Sequence, residues 1–336
     1  MPALAVTDHG NLFGAYEFYK AAKGSAVKPI IGLEAYLTPK THRSERKRVQ
    51  FGDGTGDDVA SKGAYTHMTM WAQNSEGMHN LFRLSSLSSL EGFFYKPRAD
   101  RELLHRYGKG LLATTGCPSG EVQTYLRLGQ YDQALESAAE FRDIFGAGNF
   151  YCELMDHGLD IERRVRHDLL RIAKDLKLPL VATNDLHYVH ADDAAAHDTL
   201  LCVSSGSNRD TPNRFKFDGN GYYLKSPAEM RQIWAELPEA CDNTLAIAER
   251  CSTHFDEGTG TYMAQFPVPA GETEESWFVK EVRRGLEARF PEGVPSYATE
   301  QAEFETTVIA GKGYSGYFLV VADFINWAKS NGIRVG

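Results

Sequence analysis

The stretch Lys28-Pro29-Ile30-Ile31-Gly32-Leu33-Glu34-Ala35-Tyr36-Leu37 decides how the chain is read. Branched and aromatic residues fill it almost without interruption, which is the composition of a strand. One carboxylate, Glu34, sits inside this apolar run. Upstream, residues 3–6 read as a first strand and residues 11–24 as a helix with Phe13, Tyr16, Phe18 and Tyr19 among its apolar positions. Downstream, residues 65–72, 110–114, 150–154 and 180–183 read as further strands. Residues 131–145 have helical spacing and stop at Gly146, a residue suited to a left-handed cap. Residues 160–178 form an amphipathic helix with Ile161, Val165, Leu169, Ile172, Ala173 and Leu176 on one stripe, ended by Pro179. Strands alternating with helices predict a parallel sheet or barrel of βα units.

Two segments interrupt the alternation. Residues 38–63 carry Arg43, Arg46, Lys47 and Arg48 and then Gly52-Asp53-Gly54-Thr55-Gly56-Asp57-Asp58, a composition that buries almost nothing apolar and reads as a mobile, solvated surface loop. A Gly/Pro-containing stretch at 258–271 marks a second boundary, after which residues 274–290 and 297–331 read mainly as helices. With 336 residues and 42% apolar content the chain has material for one large core or two unequal ones. No apolar run is long enough to span a membrane, and the N-terminus lacks the pattern of a signal peptide, so no membrane association is expected. Cys117, Cys152, Cys202, Cys241 and Cys251 are scattered without a CxxC pair, which argues against a disulfide framework and suits a reducing cytoplasm. A net charge of −9 predicts weak DNA binding by this stretch alone, because nonspecific affinity rests on cations that neutralise phosphates.

The chemistry gathers at the expected carboxyl ends of the strands. Asp8 and His9, Cys117, His157 and the group Asn184, Asp185 and His187 follow predicted strands, Glu34 lies inside its own, and His67, within the strand read over 65–72, is counted with the same strand-end set. In parallel barrels such positions converge on one rim. Imidazole, carboxylate and thiol together suit zinc, or manganese and iron where oxygen ligands dominate, and two close ions support phosphoester hydrolysis. Each residue alone has a plainer reading: a histidine at a strand end is commonly a hydrogen-bonded structural residue, and a lone cysteine is commonly core.

These segments resemble the PHP (polymerase and histidinol phosphatase) domain, in the version found at the front of the alpha subunits of bacterial DNA polymerase III, the replicative C-family enzymes. Thr7-Asp8-His9-Gly10-Asn11 is similar to the family's TDHGN block, Lys28 to Tyr36 to its KPIIGxEAY strand, and Ala182-Thr183-Asn184-Asp185-Leu186-His187-Tyr188 to its ATNDxHY turn. The similarity runs on through His197 to Cys202, Phe215 to Asp218 and Tyr222 to Ser226 to a block from Gly316 to Ile325 that resembles the opening of a polymerase palm. The resemblance implies a distorted parallel (β/α) barrel over residues 1–260, followed by the mostly helical start of a palm over 261–336. It implies metal ligands at His9, Glu34, His67, Cys117, Asp185 and His187, holding Zn2+ or Mn2+, with Asp8 as a turn-capping carboxylate and His157 as a hydrogen-bonding neighbour. It assigns no catalytic residue, and Asp323 reads as structural or surface.

Two departures accompany the resemblance. The family opens with a strand carrying an HxH pair and then an aspartate, and no HxH occurs in this chain; a truncated start lacking that first strand, with three ligands, is the expectation. After Asn331 to Gly336, related polymerases proceed to their nucleotide-binding turn and catalytic aspartates, so no polymerase active site is expected here. For the parent protein the resemblance implies template-directed DNA synthesis with Mg2+, primer-template DNA, deoxynucleoside triphosphates, the sliding clamp and other replisome subunits as partners, and a cytoplasmic location. For the PHP portion it implies a metal-dependent phosphoesterase acting as a 3′-5′ exonuclease, or else a metal-stabilised scaffold without hydrolysis. A small-molecule phosphatase is the outsider, disfavoured by the palm-like block.

Overall fold

In β2 (Lys28–Leu37) every residue from position 30 onward is buried, so both faces of the strand are covered. Alternation divides the labour. Ile31, Leu33, Ala35 and Leu37 enter the main core, Ile30 enters a second, smaller one, and Glu34 lines a cleft. The computed structural model describes residues 1–51, 60–258 and 262–336, which form two compact units, Met1–Phe255 and Asp256–Gly336.

The first unit is a curled half-barrel built on a seven-stranded mixed sheet. β1 (Ala3–Val6) runs parallel to β2 with Ala3 opposite Lys28. β3 (Thr66–Ala72) is antiparallel to β2, with Tyr36 opposite His67, and antiparallel to β5 (Leu111–Thr114). β5, β6 (Phe150–Leu154) and β7 (Leu180–Ala182) then run parallel, and the short β4 (Arg98–Ala99) pairs with the end of β2. The reversal at β3 is what departs from a chain of uniform βα units. Between β2 and β3 the described residues contain a single 3-10 turn and no crossover helix, and without a crossover the next strand returns antiparallel.

Helices cover the sheet. α1 (Ala15–Lys23) begins later than the sequence suggests, and Phe13 before it is exposed. α2 (Ser75–Glu91) is capped by Asn74, whose side chain accepts the Gly77 N–H at 2.9 Å. α3 (Arg101–Tyr107), α4 (Glu121–Arg127) and α5 (Tyr131–Phe145) follow. α6 (Asp160–Leu176) buries Val165, Leu169, Ile172 and Ala173; each larger side chain of that stripe is worth about 1.5–3 kcal/mol in apolar transfer. α7 (Ala194–Ser205), α8 (Pro227–Ile233) and α9 (Pro238–Arg250) complete the unit. The sheet path ends at β1 on one side and β7 on the other. A cavity of about 940 Å³ lies along both edges, lined by Ala3 and Ala5 of β1 and by Val181 and Ala182 of β7.

The second unit packs α10 (Glu274–Arg289), α11 (Ser296–Gly311) and α12 (Ser315–Ser330). Thr273 caps α10 by accepting the Ser276 N–H at 3.1 Å, and Phe278 meets Phe318 at 5.8 Å between ring centres. The stretch read as helical over 297–331 breaks at Gly313, held at φ +73°, and α11 and α12 meet at 117°. Among the described residues no single helix is long and apolar enough to cross a membrane. Asp323 is exposed on α12.

The interrupting segment differs from its expected solvated character. Phe51 is buried in the main core, and Arg43 is buried against Asp100, Glu91 and Glu102. A cation next to fixed carboxylates is drawn in, which composition alone does not reveal. The stretch from Gly52 to Asp58, read as mobile, lies outside the described residues.

Candidate metal centre

Glu34 is the hub. It reaches the cleft because the loop after β1 continues the parallel ladder: Gly10 N–H donates to Glu34 O at 2.9 Å and Glu34 N–H donates to Asp8 O at 3.1 Å. This sets the His9 Nδ1 3.5 Å from Glu34 Oε2. His67 arrives from the other side as the second residue of β3. It therefore stands at the start of its strand, where the sequence reading had put an end, and antiparallel pairing brings that start to the same rim. Its Nδ1 lies 2.7 Å from Glu34 Oε1. The ligand-type atoms of His9, Glu34 and His67 all fall within 4.8 Å of one another.

Cys117 follows β5 in a turn that needs glycine. Gly116 has φ +81°, and a Cβ there would sit 2.7 Å from the His67 carbonyl oxygen. The close approach places Cys117 Sγ 3.6 Å from His67 Nδ1 and 3.8 Å from Glu34 Oε1. Asp185 and His187 follow β7. Asp185 holds φ +44°, a left-handed conformation that short polar residues tolerate. His187 Nδ1 lies 2.6 Å from Asp185 O, and its ring centre is 5.9 Å from that of His9. The cleft is lined by His9, Glu34, Cys117, Asp185 and His187 together.

The electrostatics follow from crowding in a poorly hydrated pocket. Loss of water holds the His9 imidazole below its ordinary value against the pull of Glu34. Burial opposes ionisation of Glu34, but the hydrogen bond with His67 and the charges of His67, His9 and His187 outweigh it and bring the carboxyl below the usual range. Burial and then Glu34 push both the Asp185 carboxyl and the Cys117 thiol up. Cations bound at such a rim would oppose both upward shifts.

Asp8 Oδ2 accepts the Gly14 N–H at 2.9 Å, a capping role. Both ring nitrogens of His157 are engaged, Nδ1 with Glu162 Oε1 at 2.5 Å and Nε2 with Asn184 O at 2.9 Å, while the ring stacks on Tyr222 at 4.1 Å. His157 thus supports the Asn184–Asp185 turn from behind. One group in the cleft went unremarked in the sequence. Glu153, on β6, is fully buried, accepts hydroxyl hydrogen bonds from Thr114 at 2.5 Å and Thr183 at 2.6 Å, and is pushed up to about 7 chiefly by burial. The signal was available: a carboxylate inside the apolar run Phe150–Leu154, the same anomaly that Glu34 presents in β2.

A family model for the PHP domain matches residues 1–157, and one for the bacterial DNA polymerase III alpha NTPase domain matches residues 276–336. The DNA polymerase III subunit alpha of Mycobacterium tuberculosis H37Rv is 54% identical over the whole of this chain. Along its whole length the chain is similar to part of the bacterial DNA polymerase III alpha subunits. Those of Saccharopolyspora erythraea and Thermus aquaticus are 53% and 37% identical, again over the whole chain. The chain spans 29% of the length of the first two of these alpha subunits and 31% of the third.

Proposed function

We propose that His9, Glu34, His67, Cys117, Asp185 and His187 bind Zn2+ or Mn2+, and that the site hydrolyses phosphodiesters at 3′ ends within a protein that copies DNA. The observation that carries this reading is the convergence on Glu34: two imidazoles and one thiol lie within 3.8 Å of its carboxylate, on one wall of a roomy cleft. The donor set fits the ions, since imidazole and thiolate favour zinc and carboxylates admit manganese. A bound ion supplies Lewis acidity towards a phosphoryl oxygen.

The chain's own residues do the rest. The lowered His9 imidazole favours a free ring lone pair, and the lowered Glu34 carboxyl favours the negative charge that draws a cation in. Lys225 lines the same cleft, with its ammonium held 2.8 Å from Asn184 Oδ1 and bonded to Gly221 O, positioned to receive a phosphate. We further assign residues 1–260 to the PHP portion and 261–336 to the opening of the palm. Template-directed synthesis from deoxynucleoside triphosphates with Mg2+, contact with the sliding clamp and other replisome subunits, and a cytoplasmic setting belong to this proposal for the whole protein.

The test is metal content per chain by elemental mass spectrometry, together with release of a labelled 3′ nucleotide, for the wild type and for Glu34→Gln. Bound zinc or manganese and nucleotide release, both lost in Glu34→Gln, are expected. Metal without release would leave the domain as a metal-stabilised scaffold, and no metal in the wild type would overturn the ligand assignment.

A further inference from the structure

The segment Gly92-Phe93-Phe94-Tyr95-Lys96-Pro97-Arg98 combines three aromatic rings with two cations and no acid. It leaves α2 at Gly92, and Phe94 N–H donates to Lys96 O at 3.1 Å, closing a tight turn over Tyr95. Tyr95 holds φ +62°, a conformation that a bulky side chain adopts only when its surroundings impose it. The surroundings are Arg98. Its fully buried guanidinium donates to Gly92 O at 3.0 Å, Ala64 O at 3.2 Å, and Arg43 O and Glu45 O at 3.0 Å each, and lies 4.9 Å from the centre of Phe94. Four carbonyls on one planar donor lock the turn in place.

The locked turn displays its other rings outward. Phe93 is 56% exposed and Tyr95 61%. Arg48 lies over the Tyr95 ring at 5.3 Å, and Lys96 over the Tyr36 ring at 5.7 Å. Among the described residues neither cation has a carboxylate within ion-pair distance. Tyr36 in turn stacks on His9 at 6.0 Å and meets His67 at 5.1 Å, and Pro97 presses on Gly10, where a Cβ would come within 2.8 Å of its ring. Arg48 also donates to the Tyr95 hydroxyl at 3.4 Å, and the buried Tyr36 ring joins Lys96 to the rim histidines, so rings and cations lie between Tyr95 and the rim.

We propose that the turn carrying Phe93, Tyr95 and Lys96, with Arg48, is a landing platform for single-stranded nucleic acid that feeds a 3′ end to the rim. Bases of any sequence stack on an exposed ring, and neighbouring cations neutralise the flanking phosphates. Rigidity matters because a preformed platform loses little freedom on binding. The inference rests on the reading of the rim as a phosphodiester site, and its test separates the two.

The probe is a 5′-fluorescein oligo(dT) of about a dozen nucleotides, titrated by fluorescence anisotropy at low salt with a chelator present, against the wild-type chain, Tyr95→Gly and Tyr95→Phe. Glycine accepts the left-handed turn, so Tyr95→Gly removes the ring without loss of melting temperature. Tyr95→Gly is expected to weaken binding about tenfold while Tyr95→Phe retains it. Lys96→Ala should shallow the salt dependence by about 0.7 in logarithmic slope, the release from one single-strand phosphate. Wild-type affinity in Tyr95→Gly, or no binding by the wild type, would overturn the platform and leave the exposed rings to a protein surface. Tyr95-dependent binding without 3′ nucleotide release when Mn2+ replaces the chelator would instead sink the hydrolytic reading and leave the platform standing.

Discussion

Among the described residues of the first unit, two places gather three metal-ligand groups each, and one of the two is organised to receive a cation. His9, Glu34 and His67 meet at the rim; His42, Asp100 and Glu102 meet at the start of α3. At the rim the carboxylate has imidazoles and a thiol around it and opens on a cleft. At α3 the cation is already present: Arg43 Nη1 lies 3.1 Å from both Asp100 Oδ2 and Glu102 Oε2, its Nε lies 2.6 Å from Glu91 Oε2, and Asp100 also caps the helix through the Leu103 N–H at 3.0 Å. Ligand types at ligand spacing are thus a poor guide until the charge balance is known. The α3 group is a structural clamp.

The sharpest way to break this contrast is Arg43→Ala. Removing the cation leaves Asp100 buried and uncompensated, and a loss of about 3–5 kcal/mol in urea-unfolding free energy is expected, with metal content unchanged. A loss of bound metal in that variant would make the second cluster a site as well. Next in size is the pH dependence of Glu153. Its carboxyl is raised from 4.5 to about 7 in the fold, so the neutral acid is favoured when folded and the unfolded chain ionises first. The stability it contributes is complete below the ordinary carboxylate range and is lost as pH rises from about 4.5 to about 7, a decline of about 3 kcal/mol. Glu153→Gln should flatten that slope in chelator-treated protein; equal slopes for the two proteins would show that the hydroxyls of Thr114 and Thr183 hold a carboxylate there. Smallest is His42→Ala. The ring is half-exposed and sits 3.4 Å from an exposed Glu102, so a change within about 0.5 kcal/mol and no loss of metal are expected.

Legibility in the sequence was uneven for physical reasons. Apolar runs such as Lys28–Leu37 and Phe150–Leu154 are long enough to mark themselves as strands, and the stripe of α6 marks itself by period. The start of α1 was misplaced because Phe13, though apolar, is exposed. Arg43 and Arg48 read alike as members of a basic run, yet one is buried among carboxylates and the other lies over Tyr95, partners some fifty residues away. Such pairings have no local signature. Glu153 was legible in principle, since a carboxylate inside an apolar strand has to find donors or a cation.

Composition and periodicity along the chain carry the set of elements and the supply of chemistry: alternating strands and helices, with imidazole, carboxylate and thiol groups in or beside the strands. Which of those groups meet is set by the fold. The antiparallel turn of β3 carries His67 to a rim reached by the opposite ends of its neighbours, and Gly116 lets Cys117 approach it. Covalent order fixes local periodicity, whereas convergence depends on strand direction, register and close backbone approach, which are settled between elements distant in the chain.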